Sequence, residues 1–263
     1  MKIKTMFESL DVAFSMYSAI PMPQVMWNEQ NMKYMLGFFP LIGLVQAALL
    51  IGWVYLAQAL SVGTVLFAAV AALIPLFVTG GIHLDGFCDT VDALASHQTR
   101  EKKLEILKDP HTGAFAVMGC MAYLLLTFAL WTQPQGEFCL LAAKEMAVGY
   151  VFSRAMSAAA VVTFPCAKNS GLAHSFSSAA QKDRVRIISI LFALVCAVCF
   201  VLIHPVLGAA ILAGCLMVFW YYHHMAMKQF GGVTGDLAGW FLQTAELWMI
   251  AAMVFCQHVE ELL

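Results

Sequence analysis

Long apolar stretches alternate with short polar ones along the whole chain. Most of these stretches approach the ~20 residues that a helix needs to cross a bilayer. We therefore predict an all-α polytopic membrane protein, a single integral membrane domain over residues 1–263. Its seven transmembrane helices are predicted at about residues 35–57, 62–80, 114–131, 139–163, 187–203, 207–226 and 237–256.

A shorter amphipathic segment precedes the first predicted span. Met6, Leu10, Phe14 and Tyr17 fall on one face of a helix, and Pro21 follows them. This pattern predicts a short helix that lies in the membrane interface and ends before the proline.

The composition supports a membrane environment. Apolar residues make up 62% of the chain and charged residues 11%, whereas soluble domains carry about 25% charged residues. This excludes a water-soluble globule. The formal net charge of −2 gives no basic excess that would favour binding to nucleic acid, so we expect the lipid bilayer and no nucleic acid as partners.

The basic residues indicate the orientation. In the seven-span topology every Lys and Arg lies on one side of the membrane, except Lys144 and Arg154 inside the fourth span. The positive-inside rule then places the N-terminus in the cytoplasm together with the loops at 81–113, 164–186 and 227–236. We expect a multi-pass protein of the cell inner membrane whose chemistry faces the cytoplasm.

An acidic cluster follows the second span. On a helix, Asp85, Asp89 and Asp92 project at roughly 0°, 40° and −20°, so three carboxylates share one face. Such an arrangement is unfavourable unless a cation lies among the carboxylates, and hard oxygen ligands suit Mg²⁺ or Mn²⁺. The sequence predicts a metal that holds phosphate oxygens. The alternative is a solvated acidic helix face capped by Asp85.

Two glycines and a histidine accompany this cluster. Gly81 and Gly86 would let the backbone approach a ligand closely, although glycines also end helices and pack spans. His83 is a candidate to donate to a phosphate or to accept a proton, and the alternative is an interfacial histidine bound to the backbone.

A charged segment links the cluster to the third span. We expect a helix that runs up to Pro110, which places Lys108 and Asp109 at the interface near the aspartates. For Lys102 and Lys103 we expect a solvated helix face.

Ionisable residues also occur inside the predicted spans. Arg154 and Glu145 lie in the fourth span and Glu246 in the seventh, where each costs about 2.5–3.5 kcal/mol on insertion scales unless it is paired or hydrated. Two interpretations stay open: a structural ion pair with either glutamate, or a guanidinium that reaches a substrate phosphate.

A glycine-rich turn opens the last span. Gly232, Gly235 and their neighbours precede or begin a helix, whose backbone amides could hold an anion. Asp236 is either a functional carboxylate or only the N-cap of that helix.

Three segments occur in order along the chain: G-G-I-H-L-D-G-F-C-D-T-V-D-A, E-I-L-K-D-P-H-T-G-A-F-A and G-G-V-T-G-D-L-A-G-W. Shorter pieces accompany them: F-F-P-L-I-G at 38–43, S-R at 153–154 and P-C-A-K-N-S-G-L-A at 165–173. In these segments the chain resembles the cobalamin synthase family, also called adenosylcobinamide-GDP ribazoletransferase. The histidine and three-aspartate segment is the most specific.

The resemblance implies a Mg²⁺-dependent membrane phosphotransferase of late coenzyme B12 assembly. Such enzymes join α-ribazole, or its 5′-phosphate, to adenosylcobinamide-GDP and release GMP. The resemblance also allows a homo-oligomer or association with other enzymes of B12 assembly.

This chemistry suggests a role for each candidate residue. We assign the metal to Asp85, Asp89 and Asp92, phosphate charge to Lys108 and Arg154, and the base to His83 or Asp236. The remaining substrate-binding candidates are Gly81, Gly86, Asp109, Gly232, Gly235 and Glu246.

Two other functions fit the pattern less well. A CDP-alcohol phosphotransferase also uses clustered aspartates, but its motif needs Ala-Arg after the first Asp-Gly, where this chain has Phe87-Cys88. A cation transporter would gather carboxylates near the bilayer midplane, whereas most of the carboxylates here lie at the cytoplasmic edge.

Overall fold

The computed structural model describes residues 3–168 and 172–262. It comprises helices and connecting loops, and the one β-bridge found in these ranges is a parallel contact between Cys166 and Val233. The helices are α1 (Ile3–Tyr17), α2 (Glu29–Met32), α3 (Met35–Ala59), α4 (Thr64–Thr79), α5 (Ile82–Ala95), α6 (Arg100–Ile106), α7 (Ala114–Trp131), α8 (Gly136–Thr163), α9 (Leu172–Ala179), α10 (Lys182–Ile203), α11 (Pro205–Met225) with a π-helical turn (Ala226–Phe230), and α12 (Gly235–Leu262).

Within residues 3–168 and 172–262, six helices are long and apolar enough to cross a membrane: α3, α7, α8, α10, α11 with its π-turn, and α12. The pair α4 and α5 passes the same test together, which raises the number of spans to as many as seven. The predicted all-α polytopic membrane architecture is therefore confirmed. Several helices extend beyond the predicted apolar spans, since the apolar pattern marks the lipid-facing length of a helix and not its hydrogen-bonded ends.

The centre of the bundle is α8, which packs against α3 and α10, while α12 packs against α5, α8 and α11. Small residues permit these close approaches. A side chain at Gly43 would collide with the backbone of Tyr150, and one at Gly214 would collide with the indole of Trp248. This use of small residues is typical of helices that pack within a membrane.

A sharp elbow separates α4 from α5, whose axes differ by 95°. Gly80 and Gly81 form the elbow with φ angles of 62° and 83°, a left-handed backbone that glycine adopts without the penalty of a Cβ. The elbow turns α5 across the start of α12. A Cβ at Gly86 would lie 2.8 Å from the Asp236 Cα, so the two backbones touch at this crossing.

Two loops join beside the same crossing. Val233 donates its N–H to the Pro165 carbonyl at 2.9 Å, and the Ala167 N–H donates to the Val233 carbonyl at 3.0 Å. The loop after α8 is thereby fixed to the turn before α12. Residues 169–171, within the predicted 165–173 segment, lie outside the described residues.

Candidate active site

A cavity of about 400 Å³ opens where α1, α3, α5, α8, α9 and α12 meet. Its walls are mostly apolar. Charged side chains belong to the connecting segments and to helix starts: Asp85, Lys108, Lys168 and Asp236. Four residues predicted from the sequence, His83, Asp85, Lys108 and Asp236, therefore contribute to one cavity together with Gly235.

The carboxylates gather where α5 crosses α12. Asp85 lines the cavity and also a second groove on the other side of α5, which Asp89 and Gly81 line as well. The charges of Asp85, Asp236 and Asp92 all act on Asp89. None of the ion pairs among the described residues involves these four carboxylates. The cluster is thus a concentration of negative charge outside the ion pairs of the described residues, and the charge of Lys168 acts on one member, Asp236.

We tested whether this cluster suits a divalent cation. Within the described ranges no three His, Cys, Asp or Glu side chains form a preassembled metal group. Mg²⁺ typically uses one or two carboxylates and completes its shell with water and substrate phosphates. Asp85 and Asp89 fit that requirement, since they supply hard oxygen ligands in one groove beside the cavity.

The third predicted ligand has a different neighbour. The Asp92 carboxylate lies against Gly113, in the space that a side chain at that position would need. Gly113 is the N-cap of α7, so the Asp92 charge faces the positive end of a helix. Its position gives Asp92 a role in orienting α7, while the metal assignment stays a prediction.

Two lysines converge on the cavity. Lys168 donates its ammonium group to the Leu104 carbonyl at 2.7 Å and lies close enough to Lys108 for the two side chains to interact directly. Burial and the neighbouring Lys108 charge lower the pKa of Lys168. Lys168 is not among the residues predicted from the sequence, because only the loop-to-loop bridge brings it to the site. Its occurrence in the P-C-A-K-N-S-G-L-A segment was the one available signal.

His83 is buried and lines the cavity. Its ring lies 5.4 Å from the Phe39 ring and 6.1 Å from the Tyr17 ring, measured between centroids. Among the described residues its Nε2 has no hydrogen-bond partner. A neutral imidazole with one free nitrogen can accept a proton from a bound hydroxyl group.

Thr234 and Asp236 have different roles at the start of α12. The Leu237 N–H donates to the Thr234 hydroxyl at 3.2 Å, so Thr234 caps the helix. The N-cap interpretation of Asp236 is therefore wrong, and its carboxylate contributes to the cavity wall. Gly232 packs on the backbone of Cys166 and Ala167, where a side chain would not fit. Gly232 therefore permits the close contact between the loop after α8 and the turn before α12.

Arg154 and Glu246 form an ion pair in the interior. The guanidinium Nη1 lies 2.7 Å from the Glu246 carboxylate, and the side chains are 0% and 2% exposed. Ser153 donates to the same carboxylate oxygen at 2.9 Å. The Arg154 Cζ lies over the Phe39 ring, 6.0 Å from its centroid. Of the two interpretations of Arg154, the geometry favours the structural pair, and Glu246 is the partner.

Two expectations for the charged loop are wrong. The α6 helix ends at Ile106, before Pro110, because tight turns at Lys108 and Asp109 replace its last predicted residues. Lys103 is buried and donates to the Gln229 side chain at 2.6 Å, 126 residues away, so it is not solvated.

Asp109 lies outside the cavity. It is 54% exposed and accepts from the backbone N–H of His111 at 2.9 Å. These contacts shape the loop and do not carry Asp109 to the other candidate residues, although Lys108 beside it lines the cavity.

Comparisons with known proteins agree over nearly the full length. Residues 9–254 match the family model described as cobalamin-5-phosphate synthase. A protein of Lachnoclostridium phytofermentans named adenosylcobinamide-GDP ribazoletransferase is 41% identical, with 95% of each chain covered. Proteins of the same name from Clostridium botulinum and Desulfitobacterium hafniense are 32% and 31% identical, over 93% and 90% of this chain and 96% and 92% of theirs. No solved structure matches the chain.

Proposed function

Since the chain belongs to the cobalamin-5-phosphate synthase family, we propose that its cavity carries out the ribazole transfer for which its relatives are named. The enzyme joins α-ribazole or its 5′-phosphate to adenosylcobinamide-GDP and releases GMP, in the nucleotide loop assembly of cobalamin synthesis. The observation that carries the assignment to this cavity is that two carboxylates outside the ion pairs of the described residues, Asp85 and Asp236, and two lysines line one mostly apolar cavity.

The reaction transfers a phosphoryl group, which carries the cobinamide, from GMP to a ribose hydroxyl. A ribose hydroxyl of the acceptor attacks the phosphorus next to the cobinamide, a new O–P bond forms, and the diphosphate O–P bond breaks. GMP leaves with the bridging oxygen, and the hydroxyl proton passes to a base. Positioning and charge neutralisation dominate such reactions.

Each group at the cavity contributes one function. Asp85 and Asp89, which share the groove beside the cavity, would hold Mg²⁺, which supplies positive charge to the diphosphate when it is bound. Lys108 and Lys168 bind phosphate oxygens as mobile cations. His83 or Asp236 accepts the hydroxyl proton, because both line the cavity and the Nε2 of His83 has no hydrogen-bond partner among the described residues.

The apolar walls exclude water around the reacting groups. A drier environment strengthens the attraction between the lysines or the metal and the phosphate charge. We further propose that the cavity faces the cytoplasm of the inner membrane, because the positive-inside rule places the loops that carry both lysines on that side.

The first test measures GMP release by the purified protein in lipid nanodiscs with Mg²⁺, adenosylcobinamide-GDP and either form of α-ribazole. We expect release from the wild type and none after chelation of divalent metal. Asp89→Asn should lower the rate by about 100-fold or more, the loss typical when one group that stabilises transition-state charge is removed.

The matched control is Asp183→Asn. Asp183 is 89% exposed in a pair with Arg186 at the start of α10, away from the cavity, so its rate should stay near wild type. A wild-type protein that releases no GMP with either acceptor contradicts the proposed reaction. Equal activity of Asp89→Asn and Asp183→Asn contradicts the assignment to this site.

A further inference from the structure

The interior of the cavity is aromatic. The Tyr17 ring lies 4.5 Å from the Phe39 ring and 6.3 Å from the Phe176 ring, measured between centroids, and His83 lies beside the first two. All four side chains line the cavity. Flat rings at these separations provide surfaces on which a planar heterocycle can stack.

The lysine pair belongs to the same cavity. Lys108 and Lys168 line one wall of the cavity, and the Lys108 charge acts unfavourably on Lys168, an effect that Glu105 and Asp236 partly offset. A phosphate dianion between them would remove this repulsion and accept hydrogen bonds from both ammonium groups. Rings and paired cations in one cavity fit a molecule with a planar base and a phosphate.

We propose that this cavity is the acceptor site: the base of α-ribazole 5′-phosphate lies among the rings, and its 5′-phosphate lies on Lys108 and Lys168. The inference rests on the proposed function and adds where the acceptor binds and which residues make the enzyme prefer its phosphorylated form. A volume of about 400 Å³ suits a nucleotide but not a corrinoid.

The guanosine phosphate part of the donor also combines a planar base with a phosphate, and the chemistry of the cavity wall distinguishes it from the acceptor. Guanine carries several donors and acceptors on its edge, which lose hydrogen bonds when an apolar wall buries them. Apolar residues such as Leu36, Leu104, Val161 and Leu242 make up most of the wall. Besides Tyr17, His83 and the charged side chains, its polar residues are Ser157 and Thr234. A benzimidazole base loses far less in these surroundings, so the acceptor fits better than guanosine.

The test compares KM values for α-ribazole 5′-phosphate and for unphosphorylated α-ribazole in the GMP-release assay. In Lys168→Ala we expect the KM for the phosphorylated acceptor to rise about 10- to 100-fold, the loss of one charge-assisted hydrogen bond. The KM for free α-ribazole should change less than about twofold, since that acceptor lacks the group that the lysine binds. The KM for adenosylcobinamide-GDP should stay unchanged.

Two further variants keep the test decisive. Lys108→Ala should give the same changes in KM as Lys168→Ala, and it does not remove the contact of Lys168 with Leu104. Phe176→Ala should raise the KM for both acceptors equally, by about tenfold, because it removes a stacking surface and no charge. The control is Lys102→Ala, which removes an exposed cation paired with Glu105 outside the cavity and should change neither KM.

Three results would overturn the inference while wild-type GMP release leaves the proposed function intact. One is an equal rise of KM for both acceptors in both lysine variants. Another is a rise of KM confined to adenosylcobinamide-GDP, which would place the guanosine phosphate here. The third is no change in any KM.

Discussion

Removal of one partner from the buried Arg154–Glu246 pair should strongly destabilise the protein, whereas removal of both should not. The two side chains are 0% and 2% exposed, and their charged atoms lie 2.7 Å apart. Arg154→Met leaves a buried carboxylate without its cation, and Glu246→Leu leaves a buried guanidinium without its anion. The double variant leaves neither charge in the interior.

The magnitude follows from the burial. When one partner of a buried pair is removed, the free energy of unfolding falls by about 3–5 kcal/mol, because the remaining charge is desolvated and unpaired. If the two effects added, the double variant would lose about 6–10 kcal/mol. Apolar replacements of similar volume are often close to neutral, so we expect the double variant within about 2 kcal/mol of wild type.

The assay is reversible unfolding in mixed detergent micelles, followed by tryptophan fluorescence, together with GMP release by each variant. The exposed Lys102–Glu105 pair, 64% and 65% exposed, is the matched control, and loss of either partner there should change stability by less than about 1 kcal/mol. A structural role predicts that the double variant keeps its activity. A folded double variant whose GMP release falls 100-fold would refute the reasoning and would return Arg154 to substrate binding.

Two further substitutions test the crossing of α5 and its neighbours. Gly86→Ala should lower the free energy of unfolding by about 1–3 kcal/mol and reduce GMP release, since its Cβ would lie 2.8 Å from the backbone of α12. The control is Gly52→Ala, whose Cβ would have nothing within 4 Å and which should be neutral in both measurements. Equal behaviour of the two variants would contradict the packing argument. Asp92→Asn should keep much more GMP release than Asp89→Asn and lower the free energy of unfolding by about 0.3–1 kcal/mol, because the Asp92 carboxylate lies against Gly113 at the start of α7. A loss of activity as large as that of Asp89→Asn would favour a metal-binding role for Asp92 instead.

The fold was predictable where one local property decides the structure. The span predicted at 114–131 matches Ala114–Trp131, because helix length in a membrane is set by the bilayer and by the need to satisfy every backbone polar group. The aspartate segment was predictable for a related reason. Charges are scarce in this chain, so a group of carboxylates at a membrane boundary stands out from its surroundings.

The remaining features depend on contacts between distant parts of the chain. Glu246 pairs with Arg154 across 92 residues, and the sequence left Glu145 as an equal candidate. Lys168 reaches the cavity only because its loop bridges to Val233. Local patterns carry no information on which of several loops meet, so these partners required the three-dimensional structure.

The interior charges and the cavity charges differ in their partners. In the interior, Arg154 and Glu246 neutralise each other, and a ligand would have to break that pair before it could use either charge. At the cavity, Asp85 and Asp236 belong to none of the ion pairs among the described residues, and Lys108 meets another lysine. Unbalanced charge at a cavity raises the energy of the protein without a ligand and is relieved by a bound cation and a phosphate. The same physical rule that favours a structural role for the interior pair therefore supports our proposal that the cavity charges bind ligands.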